Sequence, residues 1–192
     1  MAGEKRTSGR LVVISGPSGV GKSTICHRLC KVVGGEFSVS VTTRKPRPGE
    51  TNARDYHYIT PEEFTRLRDT GGLLEWAEVY GNMYGTPAEP VELATRNGKT
   101  IILEIDIQGC IQVRKKRPDA ITVFVLPPSS DEQKRRIEGR KTDAESVIAE
   151  RLSKADGEVR YAIESGCYDE FIINDDLDRT VERIAALCAK EQ

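Results

Sequence analysis

The chain has 192 residues, 38% hydrophobic and 31% charged, which suits one domain with a proper core, or one domain carrying insertions. Its formal net charge of −1 argues against a nucleic-acid partner held mainly by counterion release. No apolar run nears the roughly 20 residues that cross a bilayer, and Met1 to Arg10 is polar without the apolar stretch of a secretory signal, so a cytoplasmic protein without a membrane partner is expected.

Residues 10–15, around Leu11-Val12-Val13-Ile14, predict a first strand. Gly16-Pro17-Ser18-Gly19-Val20-Gly21-Lys22-Ser23-Thr24 follows, with Gly16 and Gly21 separated by four residues and then Lys and Ser. A helix over 22–33, apolar at Ile25 and Leu29 and closed by Gly34-Gly35, completes a strand–loop–helix unit. That pattern cradles phosphates: glycines let the backbone N–H groups turn toward phosphate oxygens, and the helix N-terminus adds positive partial charge. Lys22 then serves as a point charge at the β/γ-phosphates, and the Ser23 hydroxyl can ligate Mg²⁺. Cys26 and Cys30 on this helix have no second Cys/His pair to complete a metal site. With Cys110, Cys167 and Cys188 they read as reduced, buried thiols.

Phe37 to Thr43 alternates like a strand, Arg44 to Arg54 is a polar loop, and Asp55 to Ile59 suggests another strand. Thr60-Pro61-Glu62-Glu63 combines an N-cap, a Pro at the first helical position and a capping box, and Gly71-Gly72 ends that helix. Residues 73–86 predict a hairpin around Gly81-Asn82, and a short helix ends near Asn97-Gly98. Thr100 to Asp106 and Ala120 to Leu126 are near-continuous apolar runs of the kind found in buried parallel strands. Glu104 and Asp106, two apart on the first of these, would share a face at its C-terminal end. Ser129 to Glu132 and Thr142 to Glu145 are capping boxes that start two helices, Phe171 to Ile173 is a last strand, and Leu177, Val181, Ile184, Leu187 and Cys188 line the final helix. The alternation of strand and helix implies βαβ architecture with a mostly parallel sheet, interrupted by insertions at 36–98 and 129–152.

Together these segments resemble the guanylate kinase family. The likeness is carried by the phosphate loop, Ser40-Val41-Thr42-Thr43-Arg44-Lys45-Pro46-Arg47, Gly49-Glu50, Asp55-Tyr56, Glu75-Trp76-Ala77 and Gly81-Asn82-Met83-Tyr84-Gly85-Thr86. Glu104-Ile105-Asp106-Ile107-Gln108-Gly109, Arg136-Ile137-Glu138-Gly139-Arg140 and Asn174-Asp175-Asp176-Leu177 complete it. The resemblance implies a single α/β domain over 9–188, with a P-loop NTPase core (about 9–35, 99–128 and 153–192) holding a five-stranded parallel sheet flanked by helices. It also implies a GMP-binding insertion of mixed strands and short helices (about 36–98) and a helical lid (about 129–152). The implied reaction is ATP + GMP ⇌ ADP + GDP, with dGMP also an acceptor and Mg²⁺ as cofactor, in GMP recycling.

The residue chemistry fits the parts that the resemblance assigns. Arg44 and Arg47, whose guanidinium forks match phosphate oxygens, and Tyr56 and Tyr84, whose hydroxyls donate without adding charge, become acceptor-phosphate ligands. Guanine offers N1–H and N2–H₂ donors beside the O6 acceptor; a carboxylate takes the donors and a hydroxyl serves O6. Glu75 becomes the carboxylate, Ser40 and Thr86 the hydroxyls, and Glu104 a further contact where some relatives carry Asp. The plain alternative for Glu75 is a surface carboxylate at a strand edge. Asp106 is assigned to GMP binding and, with Ser23, to a place beside Mg²⁺. Arg136, Arg140 and Arg151 are lid cations for the transferring phosphoryl, although a salt-bridged helix face with Glu132 and Glu138 is the plainer reading. Lys141 stands where relatives often have Gly. Asn174 matches an adenine-contacting Asn and fits a turn or N-cap as well. Lys22, Arg44, Arg136 and Arg151 carry catalysis in this reading, and Gly16 to Thr24 with Arg136, Arg140 and Asn174 hold ATP.

Three rivals share parts of the pattern. Asp106-Ile107-Gln108-Gly109 also spells the D-x-x-G of a small GTPase, but no Asn-Lys-x-Asp segment is present. Another nucleoside monophosphate kinase would lack the Ser40/Glu75/Thr86 set. A non-catalytic scaffold module typically loses phosphate-loop residues, whereas Lys22 and Ser23 are intact here.

Overall fold

The run Leu11–Ser15 (β1) is buried at every residue, and the glycine turn after it feeds helix α1 (Lys22–Val33), which Gly34 closes at a left-handed φ of 63°. This computed structural model describes residues 9–79, 81–139 and 145–189. Two short strands follow, β2 (Glu36–Phe37) and β3 (Val41–Thr42). The single strand expected over Phe37 to Thr43 is therefore two, and each joins a different sheet. Alternation alone does not reveal a crossing between sheets, because it reports side-chain period and not which strand is the neighbour.

β4 (His57–Tyr58) is shorter than the Asp55 to Ile59 run suggested. Helix α2 (Pro61–Asp69) starts on the complete capping box: Glu63 N–H donates to Thr60 Oγ1 at 3.2 Å, and Thr60 N–H donates to Glu63 Oε2 at 3.0 Å. β5 (Leu73–Val79) and β6 (Asn82–Pro87) pair antiparallel as the expected hairpin, and α3 (Ala88–Arg96) follows.

β7 (Ile101–Glu104) ends two residues before Asp106, which N-caps helix α4 (Ile107–Lys116). The expected strand was too long and this helix was missed. Its signal is present: an N-cap Asp followed by apolar residues at 107, 110 and 111. β8 (Ile121–Leu126), α5 (Ser130–Glu138), α6 (Glu145–Ser165), β9 (Glu170–Ile173) and α7 (Leu177–Ala189) complete the order. Ser129 Oγ caps α5 by accepting from Glu132 N–H at 3.1 Å, whereas the box that begins at Thr142 lies outside the described residues.

Five strands form a parallel sheet in the order β2-β7-β1-β8-β9. Period-2 alternation divides β1 between two cores. Leu11 and Val13 pack with Val91, Ala94, Leu103 and Val113 under α3 and α4; Val12 and Ile14 pack with Ile25, Leu29, Val181 and Ile184 under α1 and α7. Each fully buried side chain of this size contributes roughly 1.5–3 kcal/mol of apolar transfer. A second sheet of four strands, β4-β3-β6-β5, stands beside the first, with β3–β4 parallel and the other pairs antiparallel. The second sheet spans residues 41–87, while Glu36–Phe37 pair with β7 of the parallel sheet. No helix among the described residues is long and apolar enough to cross a membrane.

Candidate active site

The phosphate loop leaves the C-terminal end of β1, where ligands of parallel sheets gather. Gly16, Gly19 and Gly21 have φ of 148°, 84° and 90°. Side chains are excluded sterically as well: a Cβ on Gly16 would stand 2.3 Å from Val125 O, and one on Gly19 2.7 Å from Ile137 Cγ1 of α5. The loop's carbonyls are engaged from several sides. Gln133 Nε2 donates to Ser18 O at 2.8 Å, Asn174 Nδ2 to Val20 O at 2.8 Å, and Lys22 Nζ to Gly16 O and Pro17 O at 2.7 and 2.9 Å. Held in this way, the loop wraps the start of α1, where backbone N–H groups and the helix dipole suit an anion.

The turn from β7 into α4 touches both halves of the molecule. Ser23 Oγ donates to Glu104 Oε1 at 3.1 Å, and Asp106 Oδ1 accepts from Gly109 N–H at 2.8 Å. Burial raises the Asp106 carboxyl above its ordinary range, opposed by that N–H and by Lys22. Glu104 and Asp106 do not share a strand face as expected, because the chain turns into a helix between them.

On the second sheet, Arg44 is clamped. It donates to both oxygens of Glu50 at 3.0 and 2.8 Å and to Tyr84 Oη at 3.2 Å, and its guanidinium lies 5.4 Å from the Tyr56 ring centre. Glu50 also accepts from Tyr58 Oη at 2.8 Å and from Arg47 N–H at 2.7 Å. Arg44 is the main reason its carboxyl is lowered to about 2. Burial, then the nearby Glu104 carboxylate, pushes the Tyr56 hydroxyl up to about 12, so it stays a donor. Arg47 is exposed and Ser40 half-buried.

Glu75 is 3% exposed, so the strand-edge surface reading fails. It sits opposite Thr86 across the β5–β6 ladder, and Thr86 Oγ1 donates to its Oε1 at 2.6 Å. Burial, aided by the Asp106 charge, raises its carboxyl to about 7. Helix α4 covers the outer edge of β5. Gln112 Nε2 donates to Trp76 O at 2.6 Å, Trp76 N–H donates to Gln112 Oε1 at 3.2 Å, and Lys116 Nζ donates to Leu74 O at 2.6 Å.

The family model for guanylate kinase matches residues 8–191. The chain belongs to the guanylate kinase family. It is 49% identical over 177 residues to a guanylate kinase of Rubrobacter xylanophilus, covering 92% of this chain and 91% of that one. It is 46% identical over 188 residues to a guanylate kinase of Symbiobacterium thermophilum, covering 97% and 88%. The crystal structure of guanylate kinase from Anaplasma phagocytophilum superposes with a TM-score of 0.76 at 34% identity, covering 94% of this chain and 85% of that one.

Within this guanylate kinase fold the residues expected in the lid are placed unevenly. Arg136 on α5 is partly buried; its Nε donates to Glu132 Oε1 at 2.8 Å and its Nη2 to Asn174 O at 3.1 Å. Arg135 faces outward and pairs with Glu132. Arg140 lies outside the described residues, and Arg151 lies on α6. Asn174 is buried, with Oδ1 accepting from Thr180 Oγ1 at 3.1 Å. Its bonds to Val20 and Thr180 use one of the two amide hydrogens and one lone pair of the amide oxygen. Sequence reasoning missed the roles of Glu50, Tyr58, Gln133 and Gln112. Glu50 had a signal, being the one acid in residues 44–54 beside Arg44, Lys45, Arg47 and Arg54; the glutamines had none.

Proposed function

We propose that the protein transfers the γ-phosphoryl of ATP to GMP, and to dGMP, giving ADP and the nucleoside diphosphate. The observation that carries this is the double contact of residues 104–109: Glu104 bonds Ser23 beside the phosphate loop, while Gly109 lies against Glu75 of the second sheet. A phosphate cradle and a buried carboxylate are thereby placed on either side of one turn.

In this reading Gly16 to Thr24 hold the triphosphate, with Lys22 leaving its loop carbonyls for the β/γ-phosphates. Arg44, Arg47, Tyr56 and Tyr84 hold the acceptor phosphate. Glu75 accepts from guanine N1–H and N2–H₂ and Ser40 donates to O6, while Thr86, whose one hydroxyl hydrogen goes to Glu75, contributes an acceptor beside N2; adenine lacks the N1–H and leaves a buried carboxylate unpaired. An acceptor phosphate oxygen bonds the γ-phosphorus as the bond to the β–γ bridging oxygen breaks, and ADP leaves with that electron pair. No general base is needed for an ionised phosphate. Arg136, Arg140 and Arg151 supply positive charge over the transferring group.

Ser23, Glu104 and Asp106 offer hard oxygen donors suited to Mg²⁺. Among the described residues no group of three or more His, Cys, Asp or Glu surrounds one point, which suits an ion held largely by phosphates and water. The ion would neutralise phosphate charge. We further propose the division into core, acceptor-binding sheet and lid as functional units, and a reducing, cytoplasmic setting that suits five cysteines. A coupled ADP-release assay with ATP and Mg²⁺ against GMP, dGMP, AMP, UMP and dTMP tests the reading: turnover confined to the guanine nucleotides is expected, and equal turnover with AMP overturns it.

A further inference from the structure

We propose that Gly109, in the first turn of α4, is a positioning residue for acceptor-base recognition: its missing side chain is the space into which the Glu75 carboxylate is set. The inference rests on Glu75 reading the base, as proposed above.

A Cβ at Gly109 would lie 2.4 Å from Glu75 Oε2, 3.0 Å from Glu75 Cδ and 3.3 Å from Asp106 Oδ1. Carbon does not approach a carboxylate oxygen to that distance, so a methyl group there forces one of the two to move. The helix is the stiffer partner. Gly109 N–H is fixed to Asp106 Oδ1 at 2.8 Å, and Gln112, one turn on, is bonded to the backbone of Trp76 on both its amide atoms. The Glu75 carboxylate is instead the tip of a flexible side chain, held by one residue, Thr86, through its hydroxyl at 2.6 Å and its backbone N–H. The carboxylate therefore yields. Glycine has no left-handed φ to justify it at this position, unlike Gly16, Gly19 and Gly21, and alanine is the better helix former. Backbone conformation does not explain the residue; the clearance for Glu75 does.

The distinction between Gly109 and the base-reading residue itself has a measurable form. Gly109→Ala keeps every hydrogen-bonding group and every charge, yet shifts the carboxylate away from where guanine presents its donors. The KM for GMP should rise roughly tenfold to a hundredfold, the loss expected for misaligned bonds to a charged acceptor, while the KM for ATP stays within about twofold. Glu75→Asp draws the carboxylate back by one methylene and vacates the clash. G109A added to E75D should therefore change the GMP KM by less than about threefold, a non-additivity that a general loss of helix packing would not produce.

Steady-state kinetics of the wild type, G109A, E75D, the double variant and E75Q, with thermal melts of each, form the test. A GMP KM unchanged in G109A overturns the proposal, as does the same factor lost in both backgrounds. Loss of cooperative melting in G109A also overturns it, since the helix is required to accept the methyl. If E75Q leaves the GMP KM unchanged, the base-reading role of Glu75 itself fails; if E75Q raises it and G109A does not, only the role of Gly109 fails.

Discussion

Replacing Glu75 by Gln should make the protein more stable at neutral pH and less able to tell one purine from another. The Glu75 carboxyl is raised by burial from 4.5 to about 7. Between those values the folded chain holds a proton that the unfolded chain has released, so stability falls as pH rises through the window. The contribution is fully present below about 4.5 and gone above about 7. At 1.36 kcal/mol per unit, a shift of this size corresponds to about 3 kcal/mol. E75Q, with no proton to lose, should match the wild type near pH 4.5 and exceed it by up to that amount at pH 8. For a chain of this length, this is a melting difference of roughly 6–12 °C. The assay is thermal unfolding of both proteins without nucleotide from pH 4.5 to 8, read as the difference between them, which removes every other titrating group. In activity assays the wild-type KM for GMP should climb as pH drops below about 7, by at most about tenfold per unit, because guanine donors need the ionised form. E75Q should lack that component, while the acceptor phosphate's own ionisation is common to both. A melting difference that stays constant across the pH range would refute the reasoning, since it would mean that Glu75 is ionised throughout.

Lys22→Ala should lower turnover by at least about a hundredfold with a melting temperature near wild type, because it removes charge at the transferring phosphate; ADP release and a thermal melt check it. Glu50→Gln releases Arg44 from its bidentate clamp, and the GMP KM should rise about tenfold with ATP unaffected. With Glu50 ionised down to about 2, its contribution is present above its ordinary value and lost only as pH falls through about 2, so the E50Q defect should be level from pH 5 to 8 in initial-rate measurements. Asn174→Ala removes the support under Val20 and a partner of Thr180, costing about 1–3 kcal/mol in urea melts and raising the ATP KM.

What the sequence made legible was what local chemistry determines. The phosphate loop, the Thr60 capping box, the hairpin at Gly81-Asn82 and the buried runs of β1 and β8 each carry their own signal within a few residues. The failures came where distant segments compete for the same residues. Apolar alternation over Phe37 to Thr43 cannot say that the chain changes sheets midway, and the apolar run through Ile105 masked the N-cap at Asp106. Glu75 was identified by resemblance as a base reader, but its burial and raised carboxyl depend on α4, an element the reading had omitted. Gln133 and Asn174 hold loop carbonyls across 115 and 154 residues of sequence, a relation without local trace.

The seal that Gln112 and Lys116 place along β5 reaches beyond catalysis. A terminal strand with bare amides and carbonyls is a template on which another polypeptide can build, and that is how sheets spread into fibres. Here the outward groups of Trp76 and Leu74 are already occupied by side chains of the chain's own helix. Unzipping that helix would open the flank to a neighbouring molecule, so the contact that packs α4 along β5 also guards crowded solutions of this protein against growth by strand addition.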